Sequence, residues 1–197
     1  MTPWEQLPIV WKSESSYWSW VRGGLRSVWM KHPVKLAFMA EKSISLPNPN
    51  PNGRKPFVKG YRCERCNCEC FSMVAKDVKR IEKLGVKIKT VQVNHRKMAG
   101  SLKSKEDLGS FAANLFFVSF DDLEIICTEC HGYETHSQRY GMTIEEARYD
   151  KKAIEIEKLK TDAVKDFISK NGLEPSKKKE DRRKQLIETL KKKGVDT

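Results

Sequence analysis

Apolar side chains recur at helical spacing in the first part of the chain. A helix is predicted from Ser13 or Ser16 to Lys31, because one face carries Trp18, Val21, Leu25 and Trp29. Pro33 then opens a second short helix that runs through Glu41. All five tryptophans lie in this region, and the helical period favours packing onto the next region over stacking on bases.

The middle of the chain shows a different pattern. Residues Ile88–His95 alternate between apolar and polar side chains, which predicts a strand, and Leu123–Ile126 is a second short strand candidate. Ser104–Phe117 is predicted to be a helix with Ser104 as its N-cap, and another helix should follow Cys127. This mixture predicts an α+β fold.

Helical periodicity returns in the last part of the chain. Thr143 and Glu146 form a capping box, and the helix that they begin is predicted to end at Asn171-Gly172. A further amphipathic helix is predicted to start at Pro175-Ser176 and to end at Gly194.

Composition divides the chain into four segments. Residues 1–46 are a Trp-rich helical extension, and 47–56 form a Pro/Asn linker in which closely spaced prolines exclude a helix or a central strand. Residues 57–142 hold every cysteine and three of the four histidines, and 143–197 form a basic helical region. The chemistry is therefore expected in the segment 57–142.

Charge indicates the class of partner. The formal net charge is +12, which favours a polyanion, most simply nucleic acid, although solubility alone could also account for it. No signal peptide or membrane span is visible, so we expect a cytoplasmic protein with no membrane partner.

Six cysteines in a reducing compartment are typical of metal ligands. Two Cys-x-x-Cys pairs supply the four thiolates that a structural Zn²⁺ prefers, and they are Cys63, Cys66, Cys127 and Cys130. Cys68 and Cys70 are then spare thiols near the site. Reduced cysteines without metal are the alternative. Because four thiolates leave no open coordination position, catalysis would have to take place elsewhere.

Two histidines are tied to this framework. His95 ends the first predicted strand, and His131 follows Cys130 directly. If the two strands pair, both histidines converge, and metal-assisted phosphodiester cleavage becomes feasible. One imidazole would take a proton from water, while the other would help to hold a divalent ion. His32 is interpreted as structural and His136 as a reserve candidate.

The segments YRCERC, VNHRKMAGSL and DDLEIICTECHGYET resemble the HNH endonuclease family, and phage-encoded members in particular. The resemblance covers Tyr61–Thr135. It implies a small ββα-metal core stapled by the four-cysteine zinc site, here with helical extensions at both ends. It also implies cleavage of DNA with Mg²⁺ or Mn²⁺, in a host-cell cytoplasm, with phage packaging or replication proteins as further partners.

The resemblance assigns roles to four residues. His95 matches the general base, and Asn94 and His131 match ligands of the catalytic divalent ion. Asp122 matches the middle asparagine of the motif, which braces the loop by hydrogen bonds. Asn94 stands where the family usually has Asp, so the metal loses a negative ligand. Asp122 could supply that charge instead.

Basic residues near these segments are candidates for contacts with phosphates. The region from Lys151 onward contains 15 Lys and Arg against 9 Asp and Glu. It is similar to SAP-like helix–extended–helix DNA-binding modules, and a solvated amphipathic hairpin is the alternative. The predicted nucleic-acid-binding residues are Arg96, Lys97, Lys177, Lys178, Lys179, Arg182, Arg183 and Lys184.

Three functions therefore follow from the sequence. The first is a metal-dependent HNH endonuclease that hydrolyses DNA, by nicking or by double-strand cleavage, in phage genome processing. The second is a catalytically inactive zinc module that binds DNA or a DNA-packaging partner. The third is a redox or zinc-storage protein that uses Cys68 and Cys70.

Overall fold

The computed structural model describes residues 1–194 and has the predicted α+β character. The helices are α1 (Pro3–Gln6), α2 (Glu14–Trp29), α3 (Pro33–Glu41), α4 (Ala75–Glu82), α5 (Asp107–Phe116), α6 (Thr128–Tyr140), α7 (Ile144–Glu157), α8 (Thr161–Ser169) and α9 (Lys179–Lys193). The strands are β1 (Ile44–Pro47), β2 (Phe57–Arg62), β3 (Glu69–Phe71), β4 (Val91–His95) and β5 (Leu123–Cys127). Among the described residues, no helix has the length and apolar character needed to cross a bilayer.

The chain forms two compact units, Met1–Thr128 and Glu129–Thr197. The division falls at the start of α6, whereas the composition placed segment boundaries at 46, 56 and 142. The last three residues of the predicted C-terminal region, 195–197, lie outside the described residues.

A three-stranded antiparallel sheet in the order β1-β2-β3 occupies part of the first unit. The segment predicted as a linker connects β1 to β2, and the amide of Asn48 donates to the carbonyl of Pro56 at 2.9 Å. Pro47 is compatible with β1 because this strand lies at the sheet edge, where a missing N–H costs little. Residues on either side of the proline-rich segment therefore belong to one sheet.

The two strands predicted in the middle of the chain pair as an antiparallel ribbon. His95 lies opposite Leu123 and Asn94 opposite Glu124. All five residues of β5 are buried. β4 is shorter than predicted, because it begins at Val91 rather than at Ile88. Helix α5 lies between the two strands in the chain, and helix α6 follows β5 without an intervening residue.

The N-terminal helices have the predicted caps. The hydroxyl of Ser13 accepts from the amide of Ser16 at 3.2 Å and begins α2, and Pro33 is the first residue of α3. Trp29 is buried in α2 with 6% exposure, and Phe38 of α3 packs edge-on against Phe120 at 5.5 Å. The predicted packing of the tryptophans therefore holds for Trp29, whose ring contacts His95, but not for Trp20, which is 62% exposed.

Helix α5 begins differently from the prediction. Ser104 is not its cap. Instead, the Asp107 carboxylate accepts hydrogen bonds from the amides of Lys103 and Ser104 at 2.8 and 3.1 Å. A carboxylate in the first helical turn satisfies amide groups that have no partner within the helix and also suits the helix dipole.

In the described part of the second unit, residues 129–194, the secondary-structure elements are all helices. Thr143 caps α7 as predicted, but the helix expected to reach Asn171 is two helices, because α7 ends at Glu157 and α8 starts at Thr161. The bend lets α8 fold back, so that Val164 and Ile168 pack with Ala153 and Leu186 in one core. Helix α9 starts at Lys179, later than predicted, and Gly194 ends it with a positive φ of 67°.

Candidate metal centre and active site

Four cysteine thiols meet in one cluster, and they are the four that the spacing predicted. The sulfurs of Cys63, Cys66, Cys127 and Cys130 all lie within 4.8 Å of one another. Four sulfurs at about 2.3 Å from a zinc ion would lie about 3.8 Å apart. The Cys66 and Cys127 sulfurs are separated by 3.8 Å. The cluster could therefore hold a tetrahedral metal ion such as zinc.

The backbone around the first Cys-x-x-Cys pair forms a tight turn. The amide of Asn67 donates to the carbonyl of Cys63 at 2.9 Å, and Asn67 adopts a positive φ of 57°. Asparagine tolerates this conformation better than most residues. The amide of Cys127 donates to the sulfur of Cys63 at 3.3 Å, so β5 and the turn are joined even without the metal.

The two remaining thiols stand outside the four-cysteine cluster. The Cys68 sulfur lies 3.2 Å from the Cys66 sulfur, and Cys70 is fully buried with its sulfur 3.6 Å from the Tyr61 carbonyl. Burial raises the pKa of Cys70 to about 12, so this thiol stays protonated at neutral pH. Cys70 is thus a core residue, whereas Cys68 is a neighbour of the metal ligands.

His95, at the end of β4, is fixed by its surroundings. Its Nε2 atom lies 3.1 Å from the carbonyl oxygen of Leu115, and the Trp29 ring packs against the imidazole at 4.5 Å between centroids. A carbonyl can only accept, so Nε2 carries the proton and the neutral ring keeps its lone pair on Nδ1. Burial lowers the pKa of His95 below its ordinary value, with Lys35 and His32 adding to that effect.

Asn94 precedes His95 and is held from the neighbouring strand. Its Nδ2 atom donates to Oε1 of Glu124 at 2.8 Å, directly across the β4–β5 pair. Because the amide nitrogen faces the carboxylate, a metal ion could bind Asn94 only through Oδ1. Its orientation is therefore set by Glu124.

Glu124 is a site residue that the sequence analysis missed. It has 1% exposure and receives two hydrogen bonds from the Arg65 guanidinium, at 3.0 and 2.8 Å, while Arg96 lies 3.6 Å away. Burial raises the pKa of Glu124, but the hydrogen bonds from Arg65 and Asn94 lower it by more, so the carboxylate is ionised at neutral pH. A lone acid in the otherwise apolar strand LEIIC was the available signal.

Glu64, inside the first Cys-x-x-Cys pair, extends this network. Its carboxylate accepts from the amide of Ile125 at 2.9 Å and from the Arg96 guanidinium at 2.9 Å. The turn that carries Cys63 and Cys66 is thereby linked to β5 and to the residue that follows His95.

Asp122 braces the turn that leads into β5. Its carboxylate accepts from both the amide and the hydroxyl of Ser119 at 2.7 Å, and these bonds lower the pKa of Asp122. The carbonyl of Asp122 accepts from the amide of Arg96 at 2.8 Å. An acceptor-only carboxylate can thus brace this turn, because Ser119 supplies the donors. That Asp122 also contributes charge to a metal ion stays a prediction.

His131 and His136 both lie on α6. His131 comes directly after Cys130, in the first turn. His136 is engaged in a separate cluster of the second unit, where its Nε2 atom lies 2.6 Å from the Asp150 carboxylate. Arg183 binds the same carboxylate through two hydrogen bonds, at 2.9 and 2.7 Å. His136 is thus held by a buried acid.

The predicted phosphate contacts differ in their availability. Arg183 is bound to Asp150, Arg96 is paired with Glu64 and Glu124, and Arg182 donates to the carbonyls of Ser176 and Lys177. The remaining predicted side chains are exposed, and they are Lys97, Lys177, Lys178, Lys179 and Lys184. All three predicted arginines are therefore engaged in hydrogen bonds or ion pairs within the protein.

Comparisons with protein-family models, with curated proteins and with solved structures found no match for this chain. Within residues 1–194, no second group of three or more His, Cys, Asp or Glu side chains gathers closely enough to form a candidate metal site. Any function must therefore be argued from the geometry given above.

Proposed function

We propose that this protein is a metal-dependent endonuclease of the HNH type that hydrolyses phosphodiester bonds of DNA. The observation that carries the proposal is the hydrogen bond from Nε2 of His95 to the Leu115 carbonyl, at 3.1 Å, at the end of a paired strand. The pairing of β4 with β5, the direct passage from β5 into α6 and the four-cysteine cluster support the same proposal.

The fixed tautomer of His95 suits a general base. With its proton on Nε2, the ring can take a proton from water through Nδ1, and the resulting hydroxide attacks phosphorus. The lowered pKa of His95 keeps the ring neutral, and therefore able to accept a proton, at neutral pH. General base catalysis of this kind contributes a rate factor of about 10²–10⁴.

A divalent ion would have to be held apart from the cysteines, because four thiolates leave no open position. The resemblance assigns its ligands to Asn94, through Oδ1, and His131. An oxygen and an imidazole are suitable donors for Mn²⁺, and Mg²⁺ would rely more on water and phosphate oxygens. When bound, the ion would stabilise the negative charge on the leaving 3′ oxygen.

A catalytically inactive DNA-binding module is the second candidate. The carboxylate opposite Asn94, that of Glu124, is bound by Arg65, and the Asp122 carboxylate is bound by Ser119. A site whose ligand is a neutral amide holds a divalent cation less tightly than one with a carboxylate. Weak metal binding would leave a protein that binds DNA through its exposed lysines without cutting it.

Cleavage of supercoiled plasmid distinguishes the two candidates. With Mg²⁺ or Mn²⁺, the nuclease should give nicked or linear product, and His95→Ala should abolish it at unchanged zinc content. If plasmid is bound but remains supercoiled with either ion, the inactive module is the better description.

A further inference from the structure

A buried lysine lies beside His95 in the first unit. Lys35 of α3 has 6% exposure, and its Nζ atom lies 3.1 Å from the Met30 sulfur and 5.9 Å from the Trp29 ring centroid. Among the described residues, no carboxylate lies within ion-pairing distance of this ammonium group. Burial lowers the pKa of Lys35, because desolvation disfavours the charged form.

A second polar group, at the start of the same helix, has no hydrogen-bond partner. The Nδ1 atom of His32 is buried and finds no hydrogen-bond partner among the described residues. Its ring packs against Trp29 at 5.2 Å and against Phe116 at 5.8 Å. His32 is the N-cap of α3, so this group and Lys35 lie at the positive end of the helix dipole.

Burying a charge or a polar nitrogen without a partner is costly, and such groups are normally satisfied. A partner that is itself an anion would satisfy the ammonium, the imidazole and the helix terminus together. Trp29 contacts His32 and His95 and lies near Lys35, so the anion would be bound next to the proposed general base.

We propose that Lys35, with His32 beside it, binds a phosphate of the DNA strand on which His95 acts. This inference rests on the proposed function for the identity of the anion. The N-terminal helices would then complete the active site as well as cover it. Lys35 would be a substrate-binding residue, and His32 would donate one hydrogen bond from Nδ1.

Binding of a phosphate by the buried ammonium group would require a side-chain movement. The Met30 sulfur is its nearest polar contact, and Met30 is 61% exposed. Rotation of this unbranched side chain costs little and would remove its contact with Nζ. A phosphate oxygen could then take the place of the thioether. The thioether is a weak hydrogen-bond acceptor, and the phosphate oxygen is a much stronger one.

The test is DNA binding by the full-length, zinc-loaded protein, measured with a short fluorescent duplex in EDTA-free buffer containing Ca²⁺. Lys35→Met keeps the side-chain volume and removes the buried charge, so it should fold at least as well as the parent protein. It should bind the duplex about tenfold more weakly, the loss expected for a hydrogen bond to a charged group. The slope of log affinity against log salt concentration should become shallower by about 0.9.

Two variants serve as controls. Lys42→Met removes an exposed lysine that follows the same helix and lies 3.7 Å from Glu41, and it should leave affinity and salt slope unchanged. Lys35→Arg keeps a cation at the site and should restore the salt slope. A merely structural Lys35 would not distinguish Met from Arg in this way.

The outcomes separate this inference from the proposed function. Three results would each overturn the phosphate site. Lys35→Met could bind with the affinity and salt slope of the parent protein, or Lys35→Met and Lys42→Met could lose affinity equally. The third such result is that the parent protein does not bind the duplex. If plasmid cleavage depends on His95 while Lys35→Met binds like the parent, only the inference fails. If the salt slope of Lys35→Met is shallower as predicted but the parent protein does not cleave plasmid, the phosphate site stands and the proposed nuclease function fails.

Discussion

Replacing Glu124 by glutamine should destabilise the first unit, because Glu124 joins the β4–β5 pair to the first Cys-x-x-Cys turn. The carboxylate accepts hydrogen bonds from Arg65 at 3.0 and 2.8 Å and from Asn94 at 2.8 Å. Glutamine has one oxygen, so its amide nitrogen would face another donor. The change therefore removes the buried charge and leaves at least one hydrogen bond unmade.

The expected loss follows from these contacts. A hydrogen bond to a charged group contributes about 1.5–3 kcal/mol. The side chains of Arg65 and Arg96 are 41% and 51% exposed, so water can replace part of what each arginine loses. We expect the free energy of unfolding to fall by about 2 kcal/mol in Glu124→Gln, a large share of the ~5–15 kcal/mol typical of a domain.

Urea unfolding of the zinc-loaded protein at neutral pH measures this loss. Glu69→Gln is the matched control, because Glu69 forms only a 3.9 Å ion pair with Arg62 and both side chains are about half exposed. That control should change the free energy of unfolding by less than about 0.5 kcal/mol. Equal stability of the two variants, at equal slopes of the urea dependence, would refute a stabilising role for Glu124.

Three further predictions concern the metal centre, the general base and the second unit. Cys127→Ser should lose the bound zinc while Cys70→Ala retains it, and zinc analysis of purified protein showing the reverse would exclude the assigned ligands. The acid limb of kcat/KM against pH should have its midpoint below 6.5, because a lowered pKa keeps His95 neutral to lower pH, and a midpoint above 6.5 would contradict this. Asp150→Asn should lower the stability of the second unit by about 2 kcal/mol in thermal unfolding, since it leaves Arg183 unpaired, whereas exposed Glu188→Gln should change it by less than about 0.5 kcal/mol. The pKa of the Asp150 carboxyl is lowered in the folded protein. The contribution of Asp150 to stability is therefore present above the ordinary pKa of 3.8 and is lost as the pH falls below that value.

Local signals in the sequence accounted for much of the fold. Ser13, Pro33 and Thr143 begin helices as predicted, because a cap or a first-turn proline acts within a few residues of chain. The four-cysteine cluster was predictable for a similar reason, since a Cys-x-x-Cys turn is a local chelating unit. The pairing of β4 with β5 required only that two alternating or apolar segments lie on either side of one helix.

Features that depend on distant residues were not predictable. Glu124 is satisfied by Arg65, Asn94 and Arg96, which come from two other places in the chain, so its sequence neighbours give no sign of its partners. The break between α7 and α8 contains neither Gly nor Pro and follows from packing in the core of the second unit. The burial of Lys35 also has little local signal, apart from its position one turn before the buried Phe38 on the same helical face.

The most direct test of the nuclease proposal is the single-turnover rate of plasmid cleavage by the parent protein and by His95→Ala at equal zinc content. We predict cleavage that requires Mg²⁺ or Mn²⁺, leaves 3′-hydroxyl ends, and falls by a factor of about 10²–10⁴ in His95→Ala. An absence of cleavage by the parent protein with either ion, or an equal rate in His95→Ala, would contradict the assignment of His95 as general base.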